Sequence, residues 1–329
     1  MIFLGENNLK ITKAKEEHFA LVAKYLKSSK VKVNNDKIKP FVLKYINILL
    51  DGKPDLLQKL NLKFYDFLDG YSTADYLVYR SLLKSKNKLR DHQEEILKKY
   101  RALNKEVSKF INYDNWFISS LAKVKPDYSL AQNLNINSCT YCNRIYTNTM
   151  KKANGKRLMR PQFDHWFPKS TFPLLGLSFY NLIPSCSVCN SSAKSDKIFD
   201  LQKHLHPYVD SDVLDRFHYS YNYNKSMNDY SIKLNTNLND DRAIRTFRDL
   251  NLETMYNAHI SELQDLLLTR KAYSKNYLNN LISAYPNANL SYEEVYRLAF
   301  GTELNSKDFH KRPMSKFKKD IITELLSLK

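Results

Sequence analysis

Four cysteines fall in two matched pairs, Cys139-Thr140-Tyr141-Cys142 and Cys186-Ser187-Val188-Cys189. A two-residue gap lets both thiolates of a knuckle face one tetrahedral ion. Two knuckles then supply four soft ligands, the closed shell of a structural zinc site. Disulfides belong to an oxidising compartment, and a redox C-x-x-C does not account for two matching pairs. The expected cofactor is therefore a structural Zn2+ on Cys139, Cys142, Cys186 and Cys189. The chain between the pairs, Asn143 to Ser185, is much longer than the roughly 15–20 residues of a zinc ribbon, so something must fold inside it.

That interval contains Phe163-Asp164-His165-Trp166-Phe167-Pro168-Lys169-Ser170 and Tyr180-Asn181-Leu182-Ile183-Pro184-Ser185. The second pair runs directly into Asn190-Ser191-Ser192-Ala193-Lys194-Ser195-Asp196. Phosphodiester hydrolysis needs an activated water, neutralisation of developing phosphate charge, and help for the leaving oxygen. His165 can take the proton from water, since a neutral imidazole titrates near working pH. Asp164 is a hard oxygen donor suited to Mg2+ or Mn2+. Lys169 and Lys194 are candidate phosphate contacts. Neighbours 164 and 165 point to opposite faces of a regular strand, so serving one site requires a bend or a strand end there. Trp166, Phe167 and Phe172 read as core packing around the motif. His204 and His206 read as structural histidines, with approach to the active site as the alternative for His206.

The elements that must position these groups are mostly helical. Over residues 1–128, Leu21, Val22, Tyr25 and Leu26, and then Val42, Tyr45, Ile46, Leu49 and Leu50, recur at helical spacing. Pro54 suits a first helical turn, and Ser72 with Asp75 resembles a capping pair. A longer helix carries Ile96, Tyr100, Leu103, Val107 and Phe110 on one face, and Lys98, Arg101, Lys105 and Lys109 on the other, either solvated or in contact with phosphate. Asn154-Gly155 predicts a hairpin turn joining a strand near 145–150 to one at 158–165. That hairpin is decorated by Lys151, Lys152, Lys156, Arg157 and Arg160, as a backbone clamp or a solvated turn. Residues 211–240 read as a β-hairpin, with Phe217, Tyr219 and Tyr221 alternating and 230–234 pairing back. From Arg242 the helical period returns through Tyr256, Ile260, Leu263 and Leu267, and Ser291 with Glu294 forms a capping box. Lys311, Arg312, Lys316, Lys318 and Lys319 make the tail basic, either solvated or on nucleic acid.

The chain has 329 residues, with 52 Lys and Arg against 34 Asp and Glu, a net charge of +18. That excess favours a polyanionic partner such as nucleic acid. No apolar run approaches the roughly 18 residues of a membrane span. The first residues have no basic n-region, so no signal peptide is read and a reducing cytoplasmic setting is expected. With only 6 Gly and no G-x-x-x-x-G-K-[ST] or G-x-G-x-x-G, nucleotide binding through those loops is excluded.

The run of C-x-x-C, D-H-x-x-P-K-S, N-L-x-P-x-C-x-x-C-N and a following Lys resembles the cysteine-bearing HNH endonucleases of the ββα-metal superfamily. The likeness covers about residues 139–200, and the Asn181 to Asn190 spacing is similar to the HNH domain of RNA-guided DNA nucleases. More loosely, with His-Pro-Tyr at 206–208 and Arg312-Pro313-Met314-Ser315-Lys316, the chain resembles HNH proteins of Septu-type bacterial anti-phage defence, which act beside a separate ATPase. The resemblance implies Asp164 and Asn190 as ligands of a catalytic Mg2+ or Mn2+, His165 as the base, and Asn181 as the residue orienting the loop that carries it. Asn190 stands where many members have His, which favours hard ions. The expected fold is α+β: a helical segment 1–128, an HNH core with a four-cysteine zinc site at 129–210, and a β-hairpin plus helices at 211–329. The expected activity is hydrolysis of DNA. The alternatives are a non-catalytic zinc-stabilised nucleic-acid-binding module and an RNase or toxin on the same core.

Overall fold

The computed structural model describes residues 1–5, 9–83, 85, 88–119, 125–272, 276–284 and 289–327. The first half is helical: α1 (Leu9–Ser28), α2 (Ile38–Lys44), α3 (Ile46–Asp51), α4 (Pro54–Phe67), α5 (Thr73–Leu82), α6 (Asp91–Ile111) and α7 (Pro126–Leu134). Pro54 opens α4, where a missing N–H costs nothing, and the Ser72 hydroxyl accepts the Asp75 N–H to cap α5. On α6 the apolar stripe from Ile96 to Phe110 is buried, and Lys98, Arg101, Lys105 and Lys109 are exposed.

Three two-stranded antiparallel sheets follow. β1 (Met150–Lys151) pairs with β2 (Arg157–Met159), β3 (Gln162–His165) with β4 (Leu182–Ser185), and β5 (Phe217–Asn224) with β6 (Asp229–Thr236). The rest is helical: α8 (Asp241–Asp249), α9 (Leu252–Tyr256), α10 (Ile260–Ala272), α11 (Tyr277–Ala284), α12 (Tyr292–Phe300) and α13 (Ser315–Ser327). The chain is thus α+β, and no helix among the described residues is long and apolar enough to cross a membrane.

The expectation for the strands around Asn154-Gly155 is corrected. The strand expected over 158–165 is two strands in two sheets. Pro161 has no N–H for the ladder, so β2 ends at Met159 and Gln162–His165 pairs with β4 instead. The turn at Asn154-Gly155 is present, with Gly155 at φ +74°, but it joins strands of only two and three residues. The helical period expected from Arg242 is present in α8, α9 and α10, with Asn251 at φ +52° separating the first two. The basic tail is folded, and three of its cations are paired. Lys316 Nζ pairs with Asp320 at 2.7 Å, Arg312 Nε with Glu303 at 3.1 Å, and Lys311 Nζ with Asp308 at 2.8 Å.

One hydrophobic core runs from Val22, Phe41 and Phe64 through Tyr141, Trp166 and Leu182 to Tyr219, Tyr256 and Phe317. The helices also reach the interval between the cysteine pairs with polar groups. Tyr76 Oη donates to the Thr171 carbonyl at 3.0 Å, and Asn104 Nδ2 to that of Ser170 at 3.2 Å. His18 on α1, edge-on to Phe117, has Nε2 2.8 Å from the Leu177 carbonyl.

Burial holds the His18 imidazole below its usual 6.5, at about 4. The unfolded chain therefore binds a proton there that the folded chain refuses. Stability is complete above about pH 6.5 and falls towards pH 4, by about 1.4 kcal/mol per pH unit for one such group. His18→Gln keeps an N–H for Leu177 without the titration. Urea unfolding between pH 7 and pH 4 should show the parent losing about 3 kcal/mol more than this variant; parallel profiles would contradict the assignment.

Candidate functional site

The two knuckles converge although 43 residues lie between Cys142 and Cys186. All four Sγ atoms are buried and lie within 4.8 Å of one another, with Cys142 and Cys186 at 4.0 Å. These separations approach the edge of about 3.8 Å expected for a tetrahedron with Zn–S near 2.3 Å, and exceed any disulfide bond. The Cys189 N–H points to Cys186 Sγ and the Arg144 N–H to Cys142 Sγ, each at 3.4 Å, which supports thiolate charge. The residues therefore fit a structural metal such as zinc.

Asn143, directly after Cys142, holds this cluster to the far end of the chain. It sits at φ +53°, a conformation asparagine tolerates. Its Nδ2 is within 2.8–3.2 Å of Ser138 Oγ and the carbonyls of Phe309 and Arg312, and its Oδ1 accepts the Lys316 N–H at 3.3 Å. The sequence reading missed this residue. Its one signal was an Asn immediately following a C-x-x-C.

Asp164 and His165 lie opposite Ile183 and Leu182 in the β3–β4 pair. Their side chains go to opposite sides, as strand geometry demands. Asp164 accepts from Tyr141 Oη at 2.6 Å and from Lys194 Nζ at 3.2 Å. Lys194 Nζ also donates to the His165 carbonyl at 2.7 Å. The Lys194 and Asp164 side chains are only 1% and 3% exposed, so this is a buried ion pair. Lys194, expected at a phosphate, is instead turned inward. Asn190 lies within the π-helical turn Val188–Lys194, and its amide donates to Gln162 Oε1 at 2.8 Å. The structure does not bring Asn190 and Asp164 onto a common partner. Asp164's charge is already balanced by an ammonium, so the arrangement does not fit a catalytic divalent ion at that pair of residues.

His165 faces the other way, edge-on to Tyr113 at 4.4 Å. Its Nε2 is 3.0 Å from the Gly176 carbonyl. A carbonyl only accepts, so Nε2 carries the proton and Nδ1 keeps its lone pair, with no hydrogen bond to the described residues. Burial holds the ring well below its usual pKa, at about 4, so it is neutral at pH 7. Asn181 clips the loop after it: Oδ1 accepts the Phe167 N–H at 2.6 Å, and Nδ2 donates to the carbonyls of Phe167 and Leu175 at 3.1 and 3.0 Å. Lys169 pairs with Asp114 and lies 5.2 Å from the centre of the Tyr113 ring, beside His165 and half exposed. Gly176 was not singled out from sequence; a Cβ there would meet Ile111 Cγ2 at 3.3 Å.

The remaining candidates are structural in place. Trp166, Phe167 and Phe172 are core. His206 packs 4.7 Å from Trp166, and His204 Nε2 pairs with Asp249 at 3.0 Å. On the basic hairpin, Arg160 Nε binds the buried Asp127 at 2.6 Å, and Arg157 donates to the carbonyls of Ile118 and Ser119.

No family model matches the chain, and no solved structure matches it. It is similar to protein ea31 of Escherichia phage lambda, 26% identical over 113 residues that make up 32% of this chain and 38% of that protein. The chain therefore spans well under half the length of that relative.

Two outcomes follow. Elemental analysis should find one zinc per chain, and Cys186→Ser should lose both metal and cooperative folding, because metal binding at a closed site is folding free energy; folded, soluble protein without metal would sink the zinc shell. Lys194→Met should destabilise the fold by about 3–5 kcal/mol, the usual effect of stranding one member of a buried pair. Weakened nucleic-acid binding at unchanged stability would put Lys194 back at the substrate.

Proposed function

We propose that the chain is an HNH-type endonuclease that hydrolyses phosphodiester bonds, with His165 as the general base. The observation that carries this is the Nε2 contact of His165 to the Gly176 carbonyl, which leaves Nδ1 as a proton acceptor in a neutral ring. The β3–β4 pair followed by the turn Val188–Lys194, with the cysteine cluster at its base, supports a ββα-type core. In this scheme Nδ1 takes the proton from the attacking water. Asn181 and Gly176 fix the ring and its loop, and Lys169 stands beside it for the phosphate.

DNA is the substrate class the resemblance implies, and the net charge of +18 suits it. No step is assigned to Mg2+ or Mn2+, because Lys194 and Tyr141 already occupy Asp164. The Septu-type likeness also implies a separate ATPase partner beside which the chain acts.

The test is cleavage of plasmid DNA and of RNA by parent and His165→Ala, each with Mg2+, Mn2+ or EDTA. His165→Ala should cut about 10²–10⁴-fold more slowly. Metal content, folding and nucleic-acid affinity should hold, since affinity comes mainly from Lys and Arg contacts to phosphate. Undiminished cutting by His165→Ala would remove the base assignment. Binding without cutting by the parent, under every metal condition, would favour the non-catalytic zinc module, and RNA-only cutting the RNase reading.

A further inference from the structure

A cleft of about 580 Å³ opens between α5, the segment after the second cysteine pair, and α8. Four cations line it from three stretches of chain: Arg80 from α5, Lys197 and Lys203 from the segment, and Arg245 from α8. Two carboxylates share the wall, and both are engaged. Asp249 accepts from His204 Nε2 at 3.0 Å, and Asp200 Oδ1 accepts the Gln202 N–H at 2.9 Å. Lys197 is engaged as well, donating to the carbonyls of Ala193 and Asp249.

The other three cations are uncommitted. Lys203 and Arg245 are exposed, and their side chains make no ion pair or hydrogen bond among the described residues. The Arg80 guanidinium carbon sits over the aromatic wall, 4.8 Å from the Phe172 ring centre and 5.9 Å from that of Tyr76. Its Nε is buried without a hydrogen-bond partner. A buried N–H left unpaired costs free energy, and a guanidinium fork offers parallel N–H groups that match phosphate oxygens. Packing over Phe172 restricts the guanidinium before any anion arrives, so less side-chain freedom is lost on binding.

We propose that this cleft binds phosphates of the nucleic-acid strand on which the chain acts, through Arg80, Lys203 and Arg245; the assignment rests on the nuclease reading. The link to that site is the loop after His165. Arg80 sits over the Phe172 ring, Tyr76 donates to the Thr171 carbonyl, and Lys197 lies three residues beyond Lys194. A strand seated in the cleft is held by the same loop that carries the base.

The experiment measures binding of a labelled oligonucleotide by fluorescence anisotropy across a salt series. It uses the 329-residue chain in the His165→Ala background with EDTA, so binding is read apart from cleavage. K203Q/R245Q should lower the magnitude of the log K against log salt slope by roughly 1.5, two contacts at about 0.7–0.9 each. K98Q/K105Q, the same charge change on the exposed face of α6, should leave the slope near the parent's. Arg80→Met should lower it by about 0.8 without reducing the thermal midpoint of the free protein. Equal losses from the two double variants, an unchanged slope in K203Q/R245Q, or no oligonucleotide binding by the parent would overturn the assignment. So would ATP or inorganic phosphate binding that is lost in K203Q/R245Q while oligonucleotide binding is unchanged, which makes the cleft a free-nucleotide site. Failure of the nuclease reading shows separately, as absence of cleavage by a parent that still binds with the expected slope.

Discussion

Three successive carbonyls, those of Leu175, Gly176 and Leu177, are each met by a buried side chain from a different part of the chain. Asn181 takes the first, His165 the second and His18 the third. The turn Pro173–Leu177 that presents them packs against α6 and α3 and is buried throughout. Leaving a buried polar group unpaired costs about 1–3 kcal/mol, so the turn cannot slide by one residue without losing several such contacts together. This interlock fixes the tautomer and orientation of His165. It also explains why seven helices precede so small a site: α1 supplies His18, and α5 and α6 supply the Tyr76 and Asn104 contacts to the neighbouring loop.

The other side of β3 follows a different logic. Asp164, Tyr141 and Lys194 form a closed polar set beside the cysteine cluster, with Lys194 reaching back to the His165 carbonyl. A buried ion pair adds little net stability against an apolar replacement, but it is strongly directional, and losing one partner strands the other charge. Here it ties the turn after the second knuckle to the strand carrying His165 and to the first knuckle through Tyr141. The cysteine cluster and the imidazole are thus mechanically connected through β3, on opposite faces of one strand, without sharing a ligand.

What was legible in the sequence was local. The two-residue gaps of the cysteine pairs, the caps at Ser72 and Ser291, the α6 stripe and the β5–β6 alternation all express contacts within a few residues. The aromatic residues after His165 were readable as core because the motif is too small to bury them alone. What failed depended on distant partners. Nothing near Lys194 shows that its ammonium turns inward, because Asp164 lies 30 residues away. The swap of β3 from one sheet to another hangs on a single missing N–H at Pro161. The ion pairs of the basic tail were not legible because its acidic partners, Glu303, Asp308 and Asp320, are outnumbered in any local count of charge.

The clasp at Asn143 has a consequence for biosynthesis. Its side chain closes on residues 309–316, between 166 and 173 positions downstream. Contacts of such separation form late, because loop-closure entropy must be met before they contribute. The ribosome will have released Asp164, His165 and both cysteine pairs into solution long before the segment that braces the first knuckle exists. A growing chain therefore carries the chemistry of the site without its completed frame. The frame closes only when translation has reached α13, so the site becomes ordered well after the segment carrying its chemistry has been made.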